Sequence, residues 1–186
     1  MSKKISDSLS QWRSERLQIN RLFADSEKVN KEFLSQVAKV LTDKVVKELP
    51  PNWQGIETIE HAGSWLERQT EEGELYEISI INNEEFQQLV GFVVLYESET
   101  EESVKVVHLG YVVAEPFWGK GYATEILISL IERLTELDEP ITLLAGVDEN
   151  NLASRKVLEK SGFYLSADES PNKSNLFYSL SIGETV

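Results

Sequence analysis

The segment from His108 to Thr124 reads HLGYVVAEPFWGKGYAT and carries the pattern that decides the fold. An apolar β-type run ends in a proline and a glycine-rich turn, and apolar positions then recur at helical spacing from Ala123 onward. The first amides of a helix lack intrahelical acceptors and carry partial positive charge, so the turn is predicted to bind an anion such as phosphate. Gly119 and Gly121 permit positive φ and close approach of a ligand to the backbone.

Two common phosphate-binding motifs do not fit this turn. The P-loop pattern G-x-x-x-x-G-K-[ST] is absent. A Rossmann turn requires G-x-G-x-x-G/A after a first strand, whereas here Thr124 occupies the third glycine position and the turn follows three consecutive β-type runs. A plain surface turn ahead of a helix is the alternative that this motif alone leaves open.

The flanking patterns predict one mixed α/β domain over residues 1–186, with a partly antiparallel sheet. Residues 1–13 are polar and are expected to be loosely ordered. The short polar connections between the three central β-type runs predict an antiparallel meander. In chain order, we predict a strand over 16–22, helices over 26–49 and 57–71, strands over 75–81, 89–96 and 104–114, a helix from 123 that ends before Pro140, a strand over 141–147, a helix over 151–161, and strands over 163–165 and 175–180.

Composition excludes several classes of function. The chain has 18 Lys and Arg against 32 Asp and Glu, a net charge of -14, which disfavours binding to nucleic acid or an anionic membrane and is compatible with an amine substrate. The absence of cysteine excludes disulfides, thiolate metal sites and a cysteine nucleophile, and two histidines without H-x-x-x-H spacing predict no metal site. Without a signal-like or membrane-spanning apolar run, we expect a cytoplasmic protein.

A second segment, Asn151 to Phe163, reads NLASRKVLEKSGF. Together with the glycine turn, it resembles the acetyl-CoA-dependent GNAT N-acetyltransferase superfamily. The phosphate loop of that family follows R/Q-x-x-G-x-G/A, which residues 118–123 match except that Trp118 replaces Arg or Gln. The loop with its following residues is similar to the RimJ/RimL branch, the ribosomal-protein-alanine N-acetyltransferases. Further matches to that branch are Ser14–Leu17, Leu109–Tyr111 and Phe177–Leu180.

The resemblance implies a GNAT fold, a mixed and mostly antiparallel sheet with splayed central strands flanked by helices. It implies that the pantetheine of acetyl-CoA enters the splay and that the pyrophosphate lies on the loop amides. The implied contact residues are Val112, Val113, Trp118, Gly119, Lys120, Gly121, Tyr122, Ala123, Thr124, Asn151, Ser154 and Lys156. Lys120, Arg155, Lys156 and Lys160 are candidates for the 3′-phosphate or are ordinary solvated surface. Gly110 marks either a bulge or close approach, or packing under a helix.

The resemblance also implies catalytic roles. Ser154 lies where a branch serine returns a proton to the departing thiolate, whereas the tyrosine that many members carry four residues later is Leu158 here. His108 occupies a position where relatives often carry a glutamate that draws a proton from the amine through water, and imidazole suits that task. Glu115 is the second candidate base, and an outward-facing strand histidine is the alternative interpretation of His108.

These features predict acetyl transfer from acetyl-CoA to a primary amine, best the N-terminal Ala or Ser of a protein such as a ribosomal protein. An α-amine has a pKa of about 7.7–8.0, whereas deprotonating a lysine-type amine at pH 7 costs about 4.6 kcal/mol. A small-molecule amine (a polyamine, amino acid or aminoglycoside) and a non-catalytic acyl-CoA-binding module are the alternatives. The acceptor is expected near the two N-terminal helices and the 166–174 loop, and the protein is expected to be a monomer or homodimer.

Overall fold

A computed structural model describes residues 5, 8–81, 88–98, 104–166 and 175–183. The predicted acceptor loop over 166–174 lies outside these residues except for Ser166. None of the helices in the described ranges has the length and apolar character needed to cross a membrane.

Eight strands form a single sheet in the order β1-β2-β3-β4-β5-β6-β8-β7. The strands are β1 (Gln11–Arg13), β2 (Leu17–Arg21), β3 (Glu74–Ile80), β4 (Leu89–Ser98), β5 (Lys105–Val113), β6 (Ile141–Asp148), β7 (Tyr164–Leu165) and β8 (Asn175–Ile182). The β5–β6 pair is parallel and the other six pairs are antiparallel. The predicted mixed, mostly antiparallel sheet and its central meander are therefore confirmed.

Five helices cover the two faces of the sheet. They are α1 (Lys31–Val40), α2 (Asp43–Val46), α3 (Ile59–Glu72), α4 (Tyr122–Thr135) and α5 (Leu152–Lys160). On one face, Trp65 of α3 packs against Phe92 of β4 with ring centroids 5.0 Å apart. On the other, Trp12 of β1 donates a hydrogen bond to Ser129 of α4 over 3.1 Å. We call these the α3 face and the α4 face.

The N-terminal segment is more ordered than predicted. Gln11–Arg13 form β1 and pair with β2, and Ile5, Leu9 and Trp12 are buried in the core. The expectation of loose order over residues 1–13 is therefore wrong for the part of this segment that the structure describes. The three apolar residues stand at i, i+4 and i+7, which is helical spacing, whereas Trp12 lies in strand β1, so periodicity alone indicates the wrong element here.

The predicted helix over 26–49 is divided in two. Helix α1 begins after Asn30, whose side chain accepts a hydrogen bond from the Phe33 amide over 3.0 Å, so the predicted start at residue 26 is wrong. The helix ends at Leu41, and the short helix α2 follows from Asp43. The apolar positions continue at helical spacing through this break, which is why the pattern suggested a single helix.

Candidate active site

The parallel pair at the centre of the sheet separates part-way along its length. Strands β5 and β6 are paired from Lys105 and Ile141 as far as His108 and Leu144. Beyond that point β5 remains paired with β4 as far as Val113, and β6 remains paired with β8 as far as Asp148. The C-terminal halves of β5 and β6 therefore line a gap inside the sheet, as the expected splay requires.

The register determines which backbone groups face this gap. Along an antiparallel pair, alternate residues hydrogen-bond to the same neighbouring strand. The Ala114 amide donates to the Val90 carbonyl over 2.8 Å, and the Val112 carbonyl oxygen lies 2.0 Å from the place that a Cβ on Gly91 would take. Val112 thus presents its backbone to β4. By alternation, Leu109, Tyr111 and Val113 present theirs to the gap.

Trp118 hydrogen-bonds to one of the backbone groups that face the gap. Its indole Nε1 donates a hydrogen bond to the Val113 carbonyl over 2.6 Å, while the side chain remains 44% exposed. The sequence predicted backbone contacts at Val112 and Val113. Because the Val113 carbonyl accepts a hydrogen bond from Trp118, only the Val113 amide is left on the gap side. Leu109 and Tyr111, which sequence reasoning missed, supply further groups there. Only the register, which is not visible in the sequence, distinguishes these positions.

The glycine turn lies directly beyond β5 and opens helix α4. Gly119 and Gly121 have φ of 70° and 80°, and Gly121 is the N-cap of α4 without a side-chain capping hydrogen bond. A Cβ on Gly119 would meet no heavy atom within 4 Å, so the turn is open on that side. Tyr122, Ala123 and Thr124 form the first helical turn. These features suit an anionic group such as a pyrophosphate, because the amides are not covered by a capping side chain.

Two hydroxyl groups meet on the α4 face beside the gap. Asn151 caps α5 by accepting a hydrogen bond from the Ser154 amide over 3.0 Å. The Ser154 Oγ lies 2.7 Å from the Tyr111 hydroxyl oxygen. Burial raises the pKa of Tyr111 to about 12, although the hydrogen bond with Ser154 acts in the opposite direction. Tyr111 of β5 thus brings a second hydroxyl group to Ser154, and no local pattern indicates this contact across 43 residues.

His108 lies on the opposite face of the sheet from this pair. It is exposed and stands across from Tyr96, whose hydroxyl donates to the buried Gln69 of α3 over 2.6 Å. Successive strand residues alternate between faces, so His108 belongs to the α3 face and Tyr111 to the α4 face. The gap between β5 and β6 lies beside both.

The sequence agrees with this geometry. Residues 16–164 match the family model described as the acetyltransferase (GNAT) domain. The chain belongs to the GNAT acetyltransferase family. No curated protein matches this GNAT sequence.

Several solved structures share the GNAT fold at low sequence identity. The microcin C7 self-immunity acetyltransferase MccE, in complex with acetyl-CoA and AMP, is 16% identical with a TM-score of 0.71, covering 96% of this chain and 100% of that one. RimL, the ribosomal L7/L12 α-N-protein acetyltransferase in complex with coenzyme A, is 17% identical with a TM-score of 0.68, covering 91% and 96%. The ribosomal-protein-S5-alanine acetyltransferase from Vibrio fischeri is 14% identical with a TM-score of 0.63, covering 91% and 95%.

Two glycines line the GNAT gap on the α3 face. Gly110 and Gly146 each stand two residues beyond the last β5–β6 pair. Gly110 continues the regular ladder opposite Val94, and a Cβ there would meet no heavy atom within 4 Å. The ladder shows no bulge at Gly110 and no helix packs against its Cβ position, and close approach of a ligand there stays a prediction. Gly146 is exposed, although the Phe177 ring lies 3.3 Å from the place that its Cβ would take, so the β5 edge of the gap is the more open one on this face.

The remaining predicted residues lie around the mouth of the gap. Glu115 forms an ion pair with Lys44 of α2, and its side chain is 47% exposed. Lys120 is exposed, with its ammonium 5.5 Å from the Phe117 ring centroid, and Lys156 is exposed on α5. Arg155, in contrast, donates to the Tyr178 hydroxyl and to the Glu149 carbonyl. Within the described ranges, no three His, Asp or Glu side chains are grouped as metal ligands.

Proposed function

We propose that this protein transfers the acetyl group of acetyl-CoA to a primary amine, best the N-terminal α-amine of an Ala or Ser on a protein such as a ribosomal protein. One observation carries the proposal. The gap between β5 and β6 ends at the glycine turn of α4 and has His108 on one face and the Tyr111–Ser154 pair on the other. A site with separate proton donors and acceptors on its two sides suits transfer from a thioester to an amine.

Acetyl-CoA fits the described residues. The amides of residues 119–124 would hold the pyrophosphate at the α4 N-terminus, and the gap-side backbone groups of Leu109, Tyr111 and Val113 would pair with pantetheine. The cofactor supplies an activated acyl thioester at the gap. MccE and RimL, which share the fold, were solved with acetyl-CoA and coenzyme A respectively, which supports this choice of ligand.

Ser154 is the proposed acid. Its amide is fixed by Asn151 and its hydroxyl by Tyr111, so the Oγ proton is held beside the gap where the leaving thiolate develops charge. Tyr111 acts as a positioning residue that hydrogen-bonds Ser154 while that proton moves to sulfur. Because burial raises the pKa of Tyr111 to about 12, its hydroxyl stays protonated over the whole working range of pH.

His108 is the proposed base. It is exposed on the α3 face, where the uncovered Gly110 lets an amine approach the gap. An imidazole changes protonation state between pH 5 and 8 and can accept the amine proton directly or through one water. Glu115, the other sequence candidate, is held in an ion pair with Lys44, which favours His108 for this role.

The choice of an α-amine rests on proton energetics. Deprotonating a lysine-type amine at pH 7 costs about 4.6 kcal/mol, whereas about a tenth of an α-amine is already neutral. A single imidazole suffices for the second case. The fold similarity to two ribosomal-protein acetyltransferases supports the same choice, while the similarity to MccE favours a small-molecule amine.

An acetyl-CoA turnover screen tests the proposal. The acceptors are peptides with free N-terminal Ala or Ser, the same peptides blocked at the N-terminus but carrying one lysine, polyamines, amino acids and aminoglycosides. We expect the highest kcat/KM with the free Ala and Ser N-termini. Faster turnover of a small amine would reassign the acceptor. A CoA-induced rise in Tm with no turnover of any acceptor would instead indicate a binding module.

A further inference from the structure

The connection between β1 and β2 contacts the first turn of α4. The Glu125 carboxylate accepts a hydrogen bond from the Ser14 hydroxyl over 2.6 Å and one from the Arg16 amide over 2.8 Å. The Arg16 guanidinium also contacts this carboxylate, with Nε at 2.7 Å and Nη2 at 2.6 Å from Oε2. Glu125 is only 15% exposed, so these four contacts are partly shielded from solvent.

Arg16 also contacts the glycine turn itself. Its Nη1 donates to the Lys120 carbonyl over 3.1 Å, and its guanidinium lies 4.3 Å from the Tyr122 ring centroid. Its Nη2 stands 3.6 Å from the place that a Cβ on Gly121 would take. One side chain therefore touches the middle of the turn, its end and the helix that follows.

The turn needs such support for two physical reasons. Glycines have many accessible backbone conformations, so a turn containing Gly119 and Gly121 loses much entropy when its amides converge on one anion. In addition, a carboxylate in the first turn of α4 would repel a bound pyrophosphate. The Arg16 charge offsets that of Glu125. The two guanidinium nitrogens on Oε2, with the Ser14 hydroxyl and the Arg16 amide on Oε1, fix the helix end relative to β1 and β2.

We propose that Ser14, Arg16 and Glu125 form a clamp that holds residues 119–124 in the anion-binding conformation. They are positioning residues for the pyrophosphate of acetyl-CoA, and the proposal rests on the cofactor assigned under Proposed function. The clamp acts on the phosphate end of the ligand. It leaves the pantetheine gap, which β5 and β6 line, unchanged.

The test compares ligands with and without the pyrophosphate. Arg16→Gln, Glu125→Gln and the double variant are titrated with CoA and assayed with acetyl-CoA and with S-acetyl-pantetheine. If the binding-competent population of the loop falls to about a tenth, the CoA Kd and the acetyl-CoA KM rise about tenfold. The S-acetyl-pantetheine kinetics should not change. The double variant should match the single variants, because both remove one unit.

Arg21→Gln is the matched control. Arg21 also forms an ion pair with a glutamate, Glu74, and also lies over an aromatic ring, that of Phe23 at 4.7 Å. It is five residues from Arg16, about 17 Å along the extended chain. We expect no change in CoA affinity. Ser14→Ala removes one contact and gives a milder, roughly threefold loss in the same direction, which keeps the test usable if a stronger variant folds poorly.

Four results would overturn the clamp. Equal losses with CoA and S-acetyl-pantetheine would indicate general damage to the site. Full affinity in Arg16→Lys would show that charge alone matters, since lysine cannot reproduce the fork of hydrogen bonds. Unchanged CoA affinity in Arg16→Gln, with CoA binding by the unsubstituted protein intact, would refute the clamp alone. Absence of CoA binding by the unsubstituted protein would refute the proposed function and the clamp together.

Discussion

Gly110→Ala should make this protein more stable and less active. Gly110 continues a regular strand ladder, and the added Cβ would meet no heavy atom within 4 Å. Glycine in a strand interior costs about 0.5–1 kcal/mol relative to alanine because it loses more conformational entropy on folding. The free energy of unfolding should therefore rise by about 0.5–1 kcal/mol, since no steric penalty opposes the gain.

The same methyl group occupies the proposed path of the acceptor. It projects on the α3 face, two residues from His108 and beside the gap. Filling space that a substrate must use costs about 1–3 kcal/mol, the typical price of overpacking. The acceptor kcat/KM should then fall roughly five- to 150-fold, while the affinity for CoA, whose pyrophosphate we assign to the glycine turn of α4, should not change.

Urea unfolding, CoA titration and two-substrate kinetics measure these three quantities. Gly63→Ala is the matched control, because it lies inside α3, where a Cβ would make an ordinary 3.8 Å contact with Leu34. It should gain similar stability without losing activity. A loss of stability in Gly110→Ala would mean that the fold itself requires this glycine. Full acceptor activity would mean that the amine does not pass over it.

Four further predictions concern protons. Ser154→Ala should lower kcat with little change in acetyl-CoA affinity. Tyr111→Phe should lower kcat about two- to tenfold, the value of one hydroxyl hydrogen bond, and should not alter the pH profile between pH 6 and 10. His108→Ala should lower kcat about 10²-fold and remove the acidic limb of kcat/KM; retention of both would exclude it as the base. Partial burial acts to raise the pKa of Glu125, but hydrogen bonds from Ser14 and Arg16 outweigh it, so its net pKa lies below the ordinary 4.5. The contribution of this carboxylate to the free energy of unfolding is therefore present above pH 4.5 and lost as the pH falls through the folded-state pKa. In Glu125→Gln, the free energy of unfolding measured in urea should vary less with pH across that range.

The parts of the fold that follow a local period were predictable. The meander of β3, β4 and β5, the helix α4 and the closing strands all have regular apolar spacing, and the structure places each within a few residues of its predicted bounds. The glycine turn was also predictable, because positive φ at Gly119 and Gly121 is a local requirement that glycine meets. Local periodicity and turn chemistry therefore located the turn to which we assign the pyrophosphate.

The rest of the candidate site depends on contacts between distant parts of the chain, which no local sequence pattern indicates. Ser154 meets Tyr111 across 43 residues, and Ser14 meets Glu125 across 111. The assignment of Tyr111 to the α4 face, and of its backbone to the gap, depends on the register of β5 against β4. Register is fixed by tertiary packing of the two faces, so a single strand read in isolation cannot reveal it.

Trp118 shows how a departure from the family pattern changes the loop electrostatics. Where the pattern has Arg or Gln, the indole here donates to the Val113 carbonyl and adds no positive charge to the turn. Arg16 is already balanced by Glu125, and Lys44 near the Trp118 ring is balanced by Glu115. Anion binding at this turn must then depend on the direction of its backbone amides together with Lys120, which stands between the two glycines. For that reason Arg16→Lys, which keeps the charge and loses the geometry, should still weaken CoA binding.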